Sequence, residues 1–266
     1  MLLIAAGFLN VWAGDNNSEE SKFQRNRFSS IRGMTVENLD GETLGEVSEL
    51  IIALPTGDVR YAVLKSRRFA GLRSTKRIVP AHLLSNATIK KNVLELDLSL
   101  KKLKSAPRYT KDELTALRTA RRVREIAKYY RTSPQLATPT PTGAKASPAA
   151  QVQKNREIIT RPDAAEYRLA QEVIGWKVFD ADHEQLGEIS DLLVDFAGEK
   201  PSVAIISTKG LFRMKDPLAA PLRSLAGTES VRLNVNSAAV QKAPLLTPKT
   251  WQSSRLDAKS VYIFSD

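Results

Sequence analysis

Apolar and polar residues alternate in short runs along this chain, a pattern typical of β-strands. Three runs before residue 101 show it, at 43–54, 59–64 and 93–100. In the last run Leu94, Leu96, Leu98 and Leu100 fall on one predicted face, and Glu95 and Asp97 on the other. Turn-forming residues separate the runs, as at Asp40-Gly41 and at Pro55-Thr56-Gly57. The pattern predicts a mainly β unit, a small barrel or sandwich of five or six strands.

The chain contains this pattern twice. Residues 33–52 (GMTVENLDGETLGEVSELII) align without a gap with residues 175–194 (GWKVFDADHEQLGEISDLLV) at an offset of 142, and nine of the twenty positions are identical. Unrelated windows share about one position in twenty, so the match reflects an internal duplication. One fold is therefore written twice along the chain.

The similarity extends beyond that window. Tyr61–Ser66 aligns with Val203–Thr208 at the same offset, and Leu94–Leu98 aligns with Val231–Val235 after short gaps. Val79-Pro80 likewise matches Ala220-Pro221. Gaps between the periodic runs indicate surface loops, where insertions are tolerated. We therefore predict two domains, at 28–107 and 168–247, each near the lower size limit for an independent core.

The repeated residues resemble the PRC-barrel family, the module of the photosynthetic reaction centre H subunit and of a ribosome maturation factor. The resemblance rests on Gly33, Val36 and the run Asp40-Gly-Glu-Thr-Leu-Gly-Glu-Val47. In the second copy His183 replaces the turn glycine. Gly45 and Gly187 predict a bulge or a close backbone approach where the strand bends. The resemblance implies two small PRC-type β-barrels in tandem, a fold that serves as a platform in unrelated settings.

Exported members of that family often carry an apolar loop before a Val-Pro pair. Residues 69–72 and 211–214 resemble degraded versions of this loop. Apolar residues in loops often anchor interfaces, so we predict partner contacts at Phe69, Leu72, Leu211 and Phe212. The alternative is that these side chains plug one end of each barrel.

Composition narrows the class of protein. The 266 residues are 42% hydrophobic and 26% charged, and none is cysteine. Those values are typical of soluble domains, and they exclude disulfide and thiol chemistry. Residues 1–14 form an apolar run too short to span a bilayer. Val11-Trp-Ala13 fits a signal-peptidase site, although no Lys or Arg precedes the run.

We therefore expect export, with cleavage near Ala13 and a location in the periplasm or cell envelope. A short membrane anchor or an internal apolar strand are the alternatives for this segment, and a cytoplasmic location is the alternative for the protein.

Positive charge is concentrated between the two copies. Residues 101–131 hold eleven Lys or Arg against three Asp or Glu, a net charge of +8 in a chain whose total is +11. Thr110 and Glu113 have capping-box spacing, and Leu117, Val123 and Tyr130 belong to an apolar stripe at helical spacing. We predict a basic helix over 108–131. Its candidate partner-binding residues are Arg118, Arg121, Arg122, Arg124 and Lys128.

Three interpretations of this charge remain open: a solvated helix beside a barrel, a surface for an acidic protein or an anionic membrane, and a nucleic-acid site. The last is disfavoured, because the segment has no groove-reading motif and few aromatic residues.

The remaining segments have little to bury. Residues 132–155, rich in Pro, Thr and Ala, predict a flexible linker, and residues 248–266 form a C-terminal tail. Such a linker lets the barrels move relative to each other unless their faces dock.

Catalytic chemistry is nearly absent from the sequence. His82 and His183 are the two histidines, and neither recurs at the matching position of the other copy. No nucleophile–base–acid set, phosphate loop or metal spacing occurs. Asp180, Asp182, Glu184 and Asp191 fall in a calcium-loop register, but the loop needs Gly where Gln185 stands and normally Glu in place of Asp191. We predict no enzyme activity, no cofactor and no metal.

The sequence thus favours a non-enzymatic interaction or scaffold module that binds a protein partner or an anionic surface. The family resemblance implies two alternatives: a cytoplasmic assembly factor for a ribonucleoprotein, or a subunit of a membrane complex of the photosynthetic type.

Overall fold

The computed structural model describes residues 26–54, 56–66, 74–85, 87–90, 92–132, 166–196, 202–208, 218–222 and 230–233. These residues fold into two β-sheets, one built mainly from each copy of the repeat. Predicted segments 1–14 and 248–266 lie outside them, as does the linker beyond residue 132.

The first copy supplies six strands and a short helix at its start. They are α1 (Phe28–Ile31), β2 (Thr35–Glu37), β3 (Thr43–Ala53), β4 (Asp58–Lys65), β5 (Lys76–Pro80), β6 (Thr88–Lys90) and β7 (Val93–Glu95). A two-residue strand, β1 (Asn26–Arg27), precedes α1, and a 3-10 turn (Ala81–Leu84) follows β5. The strand order is β5-β4-β3-β2-β7-β6, with β2 and β7 parallel.

The second copy repeats this plan. Its elements are β8 (Tyr167–Leu169), α5 (Ala170–Val173), β9 (Lys177–Phe179), β10 (Gln185–Val194), β11 (Val203–Ser207), β12 (Leu218–Pro221) and β13 (Ser230–Arg232). The order β12-β11-β10-β9-β13 matches β5-β4-β3-β2-β7 of the first sheet. Leu50 pairs with Ala62 across β3 and β4, and Leu192 pairs with Ala204 across β10 and β11. Both pairs are related by the offset of 142, so the predicted duplication holds at the level of strand register.

Each sheet also receives a strand from the other half. β1 pairs with β10, where Arg27 lies opposite Leu193, and β8 pairs with β3, where Leu169 lies opposite Ile51. These two contacts are again related by the offset of 142, so the exchange is reciprocal. The halves are therefore docked, and the relative movement that the linker sequence suggested does not apply to the described parts.

Buried side chains continue through the junction. One hydrophobic cluster includes Phe28 and Leu50 of the first half together with Val173 and Leu192 of the second. Backbone bonds add to the seam, from Leu54 N to the Glu166 carbonyl. Units near the lower size limit gain core by sharing it, because the buried fraction of a chain rises with its size.

The strand predicted over 93–100 is shorter than expected. The ladder ends at Glu95, and the helix α2 (Leu100–Ser105) begins where Ser99 caps it by accepting a bond from Lys102 N at 3.3 Å. Leu96 and Leu98 are nevertheless buried, as their alternation predicted. The alternating pattern therefore predicted which side chains are buried, but it did not predict where the strand ends.

The helix predicted over 108–131 is divided into two. α3 spans Glu113–Leu117 and α4 spans Ala120–Tyr130. Thr119 separates them in an extended conformation, and its side chain accepts a bond from Arg122 N. The break follows from N-cap chemistry, because a threonine at this position satisfies the free N–H groups of a new helix. Among the described helices, none has both the length and the apolar character needed to cross a membrane.

Candidate interaction surfaces

The basic segment is fixed against the first sheet by its apolar stripe. Val123, Ile126, Ala127 and Tyr130 of α4 are buried. The Tyr130 hydroxyl donates to the Ile78 carbonyl of β5 at 2.9 Å, and burial raises its pKa well above the ordinary range. A buried tyrosine with a satisfied hydroxyl holds the helix in one orientation. The stripe is therefore used within the chain, and the opposite face of α4 points to solvent.

One arginine of the segment is occupied internally. Arg122 Nε lies 2.7 Å from Glu113 Oε1, and its Nη1 lies 3.0 Å from Glu125 Oε1. Arg122 Nη2 also donates to Glu113 Oε2 and to the Arg108 carbonyl. The Glu113 side chain is only 1% exposed. Bidentate pairing of this kind joins α3 to α4, so we assign Arg122 a structural part in this surface.

The other cations of the segment face water. Of its eleven Lys and Arg residues, every one except Arg122 is exposed: Lys101, Lys102, Lys104, Arg108, Lys111, Arg118, Arg121, Arg124, Lys128 and Arg131. Two of its three acids, Glu113 and Glu125, are engaged by Arg122. We call the ten exposed cations the cationic face. It includes the predicted residues Arg118, Arg121, Arg124 and Lys128, whose binding role stays a prediction.

Aromatic side chains border the cationic face. Tyr109 and Tyr129 are half-buried, and the Tyr129 hydroxyl donates to the Lys102 carbonyl. Lys76 Nζ lies 5.8 Å from the centre of the Tyr109 ring, within cation–π range. Burial raises the pKa of Tyr109, which stays a neutral hydroxyl at physiological pH. Tyrosine and arginine are the residue types most often found at the energetic centre of protein interfaces.

The apolar loop candidates cannot be placed. Phe69, Leu72, Leu211 and Phe212 lie outside the described residues. Their proposed contacts and the alternative of barrel plugging both stay predictions.

The two histidines lie at separate places in the described structure. His82 lies on the 3-10 turn, where burial lowers its pKa. His183 lies in the turn before β10 with Nδ1 3.3 Å from Arg232 Nη2. No group of three or more His, Asp or Glu side chains in the described part of the chain is placed to hold a metal ion.

The sequence did not predict that two acids are buried at the junction. Asp191 (2% exposed) accepts from Arg27 Nε at 2.8 Å and from the backbone and hydroxyl of Ser29. Its repeat equivalent, Glu49 (8% exposed), accepts from Gln171 N at 3.3 Å. Ser29 and Gln171 are themselves equivalent. Each half thus provides a buried carboxylate that accepts a backbone hydrogen bond from the start of the other half's short helix.

The two acids differ in their partners. Leu169 stands at the position equivalent to Arg27, so Glu49 has no such arginine opposite it. Burial raises the pKa of Glu49, while its backbone bonds and the charge of Arg32 oppose that rise. An acid recurs at this position in both copies, and this recurrence was the sequence signal for a shared role. The signal did not predict burial, because Glu and Asp are also common on exposed strand faces.

Taken together, the described fold is a pair of duplicated β-modules with shared strands and one strongly cationic helical face. The PRC-barrel domain model matches residues 23–102 and 166–238, more than half of the chain. The protein therefore belongs to the PRC-barrel family, as the repeat motif predicted. Domains of this family are generally non-catalytic and often mediate protein interactions. A search of curated proteins found no match to the chain.

Proposed function

We propose that this protein is a non-catalytic scaffold that binds an acidic protein partner through the cationic face. The observation that carries the proposal is the concentration of ten exposed cations on and beside the helices α2, α3 and α4, with α4 fixed to the first sheet of a docked pair of β-modules. A fixed cationic surface attracts acidic partners at long range and increases the association rate. The half-buried Tyr109 and Tyr129 supply apolar area at its border.

A protein partner is favoured over a membrane by the distribution of apolar side chains. Peripheral membrane helices insert large apolar residues beside their cations. Among the described residues, the exposed large apolar side chain is Leu39, which lies in the turn between β2 and β3 and not on the cationic face. Charge without large exposed apolar side chains suits an acidic protein surface better than a membrane, into which such side chains insert.

We further propose that the protein acts in the cell envelope. The support is the apolar run at 1–14 with its Val-Trp-Ala sequence. Fusion of residues 1–30 to a reporter that is active only after export tests this directly. Reporter activity is expected, and an inactive reporter in the cytoplasm would contradict the proposed location.

The partner proposal is tested by capture from the cell envelope with matched charge variants. Arg121→Gln with Arg124→Gln removes two cations from the cationic face, and Lys177→Gln with Arg232→Gln removes two exposed cations from the second half. We expect the first variant to lose the captured protein and the second to retain it. Capture should also weaken as salt rises from 50 to about 500 mM, because ions screen exposed charges.

Two results would overturn the proposal. Equal capture by both charge variants would show that the cationic face does not bind the partner. Binding to vesicles of phosphatidylglycerol, or to RNA, with no captured protein would replace the protein partner by a lipid surface or a nucleic acid.

A further inference from the structure

A cleft of about 620 Å³ opens between the two halves. Its lining includes three pairs of repeat-equivalent residues: Ser29 with Gln171, Arg32 with Ile174, and Ser48 with Ser190. These pairs are related by the offset of 142, so equivalent positions of the two halves face the cleft from both sides. It exists only in the docked pair, since both copies contribute walls.

The two walls differ in chemistry although they derive from one repeat. The first half contributes three cations, Arg32, Lys65 and Lys76, while Ile174 occupies the position equivalent to Arg32. Duplication alone gives two equal walls. The cations of the cleft therefore all lie on the first-half wall, while the second-half wall contributes Gln171, Ile174, Ser190 and Asp191. Such an uneven distribution suits a ligand with one charged end.

The acids of the cleft are already paired. Glu46 Oε1 lies 3.0 Å from Lys65 Nζ, and Asp191 Oδ2 lies 2.8 Å from Arg27 Nε. Arg32 and Lys76 are exposed and form no ion pair with another described residue. The net charge of the cleft is consequently positive. A guanidinium and an ammonium lining one space favour a phosphate or a carboxylate, and arginine can bind either through two parallel bonds.

Apolar surface lies beside these cations. Phe28 and Val47 are buried in the cleft wall, and Ile174 is half-buried. Small-molecule sites usually have volumes of roughly 300–1,000 Å³ and combine an apolar lining with a few polar groups. The volume of this cleft falls within that range, and its apolar residues lie beside its cations.

We propose that the cleft binds a small organic anion, with its phosphate or carboxylate at Arg32 and Lys76 and its apolar body against Ile174. The site shares no cation with the cationic face, although Lys76 also contacts Tyr109 at the border of that face. Its ligand is a small molecule and not a protein. Free phosphate and an organic phosphate carry the same charged group. Only the organic phosphate has an apolar body that can contact Ile174, so this contact distinguishes the two ligands.

The test is a titration of the full chain with phenyl phosphate and, separately, with inorganic phosphate, followed by the backbone amide signals in NMR spectra. We expect saturable shifts at Ser29, Arg32 and Ser190, and tighter binding of phenyl phosphate. Arg32→Gln with Lys76→Gln should raise the dissociation constant at least about tenfold, the effect of losing a charged hydrogen bond. Ile174→Ser should weaken phenyl phosphate by about threefold to tenfold and leave inorganic phosphate unchanged.

The α4 variant Arg121→Gln with Arg124→Gln is the matched control and should bind both probes like the natural chain. Equal thermal unfolding midpoints would show that each variant is folded. Shifts that do not saturate, or binding that the Arg32 and Lys76 substitutions leave unchanged, would overturn the proposal. Equal binding of the two phosphates would assign the site to free phosphate and overturn the organic ligand. None of these results depends on capture of the protein partner.

Discussion

Glycine is required where neighbouring strands approach most closely. Gly45 has a φ of +145°, and a Cβ atom there would collide with the Lys65 carbonyl of β4. Gly187 occupies the same situation against the Ser207 carbonyl of β11. The ladder shifts register at both positions, as the sequence predicted for a bulge. The two glycines therefore allow the long strands β3 and β10 to bend.

Substitution of Gly45 should be far more costly than substitution of a glycine in open space. We expect Gly45→Ala to lower the free energy of unfolding by at least about 3 kcal/mol, since the collision is with backbone that cannot move aside. Gly41→Ala is the matched control, because Gly41 also has a positive φ but has no atom within 4 Å of the added carbon. It should cost only about 1 kcal/mol. Urea unfolding measures both, and equal losses would contradict this account.

Glu49 should make stability depend on pH. Its folded pKa is raised above 4.5 by burial, so the folded state holds this proton more tightly than the unfolded state. The stabilising contribution of the protonated form is present below 4.5 and is lost as pH rises through the folded pKa. We expect Glu49→Gln to abolish this loss of stability with rising pH, because glutamine does not ionise.

The measurement is urea unfolding of the natural chain and of Glu49→Gln at several pH values between 4 and 7. The variant should gain stability relative to the natural chain as pH rises. Asp97→Asn, which removes an exposed carboxylate, serves as the control. A difference between the natural chain and Glu49→Gln that is constant over this range would contradict the assignment.

At the scale of elements, the ion pair between α3 and α4 holds the cationic face in shape. Arg122→Ala would leave Glu113 buried without its cation, which should cost about 3 kcal/mol. Arg121→Ala, at an exposed neighbouring position, should change stability by less than about 0.5 kcal/mol. Hydrogen exchange of the α3 and α4 amides would register the difference. Equal protection in the two variants would show that the pair is not needed.

The elements show which parts of the fold were readable from sequence. The long strands β3 and β10 were predicted because apolar periodicity over ten or more residues leaves little ambiguity. β1 and β8 were not, since strands of two and three residues have no measurable period. Thr119 is a favoured N-cap residue, but it stands within an otherwise continuous helical pattern, so the break between α3 and α4 was not predicted.

Of the two candidate sites, the sequence predicted the basic segment but not the cleft. Local charge density identified the basic segment, because charge counts need no knowledge of distant contacts. The cleft and the buried acids arise from pairing between residues more than a hundred positions apart, as in the bond from Ser29 to Asp191. Periodicity within one copy carries no information about that pairing.

For the whole molecule, the exchanged strands predict that the halves stay together without the linker. A protease site inserted between residues 132 and 155 would allow the chain to be cut there. We expect the two fragments to co-elute in size-exclusion chromatography at the volume of the uncut protein, because strands and core are shared. Asp191→Ala should promote separation, since Arg27 and Ser29 lose their acceptor. Separation of the natural fragments in buffer without urea would contradict the docked arrangement.

The reciprocal exchange also bears on how abundant the protein needs to be. Two separate subunits with this interface would come apart on dilution, because their association follows mass action. Covalent linkage replaces that encounter with a local concentration on the order of millimolar, whatever the expression level. A cell that makes only a few copies of this chain would therefore still have every copy assembled and every cleft complete.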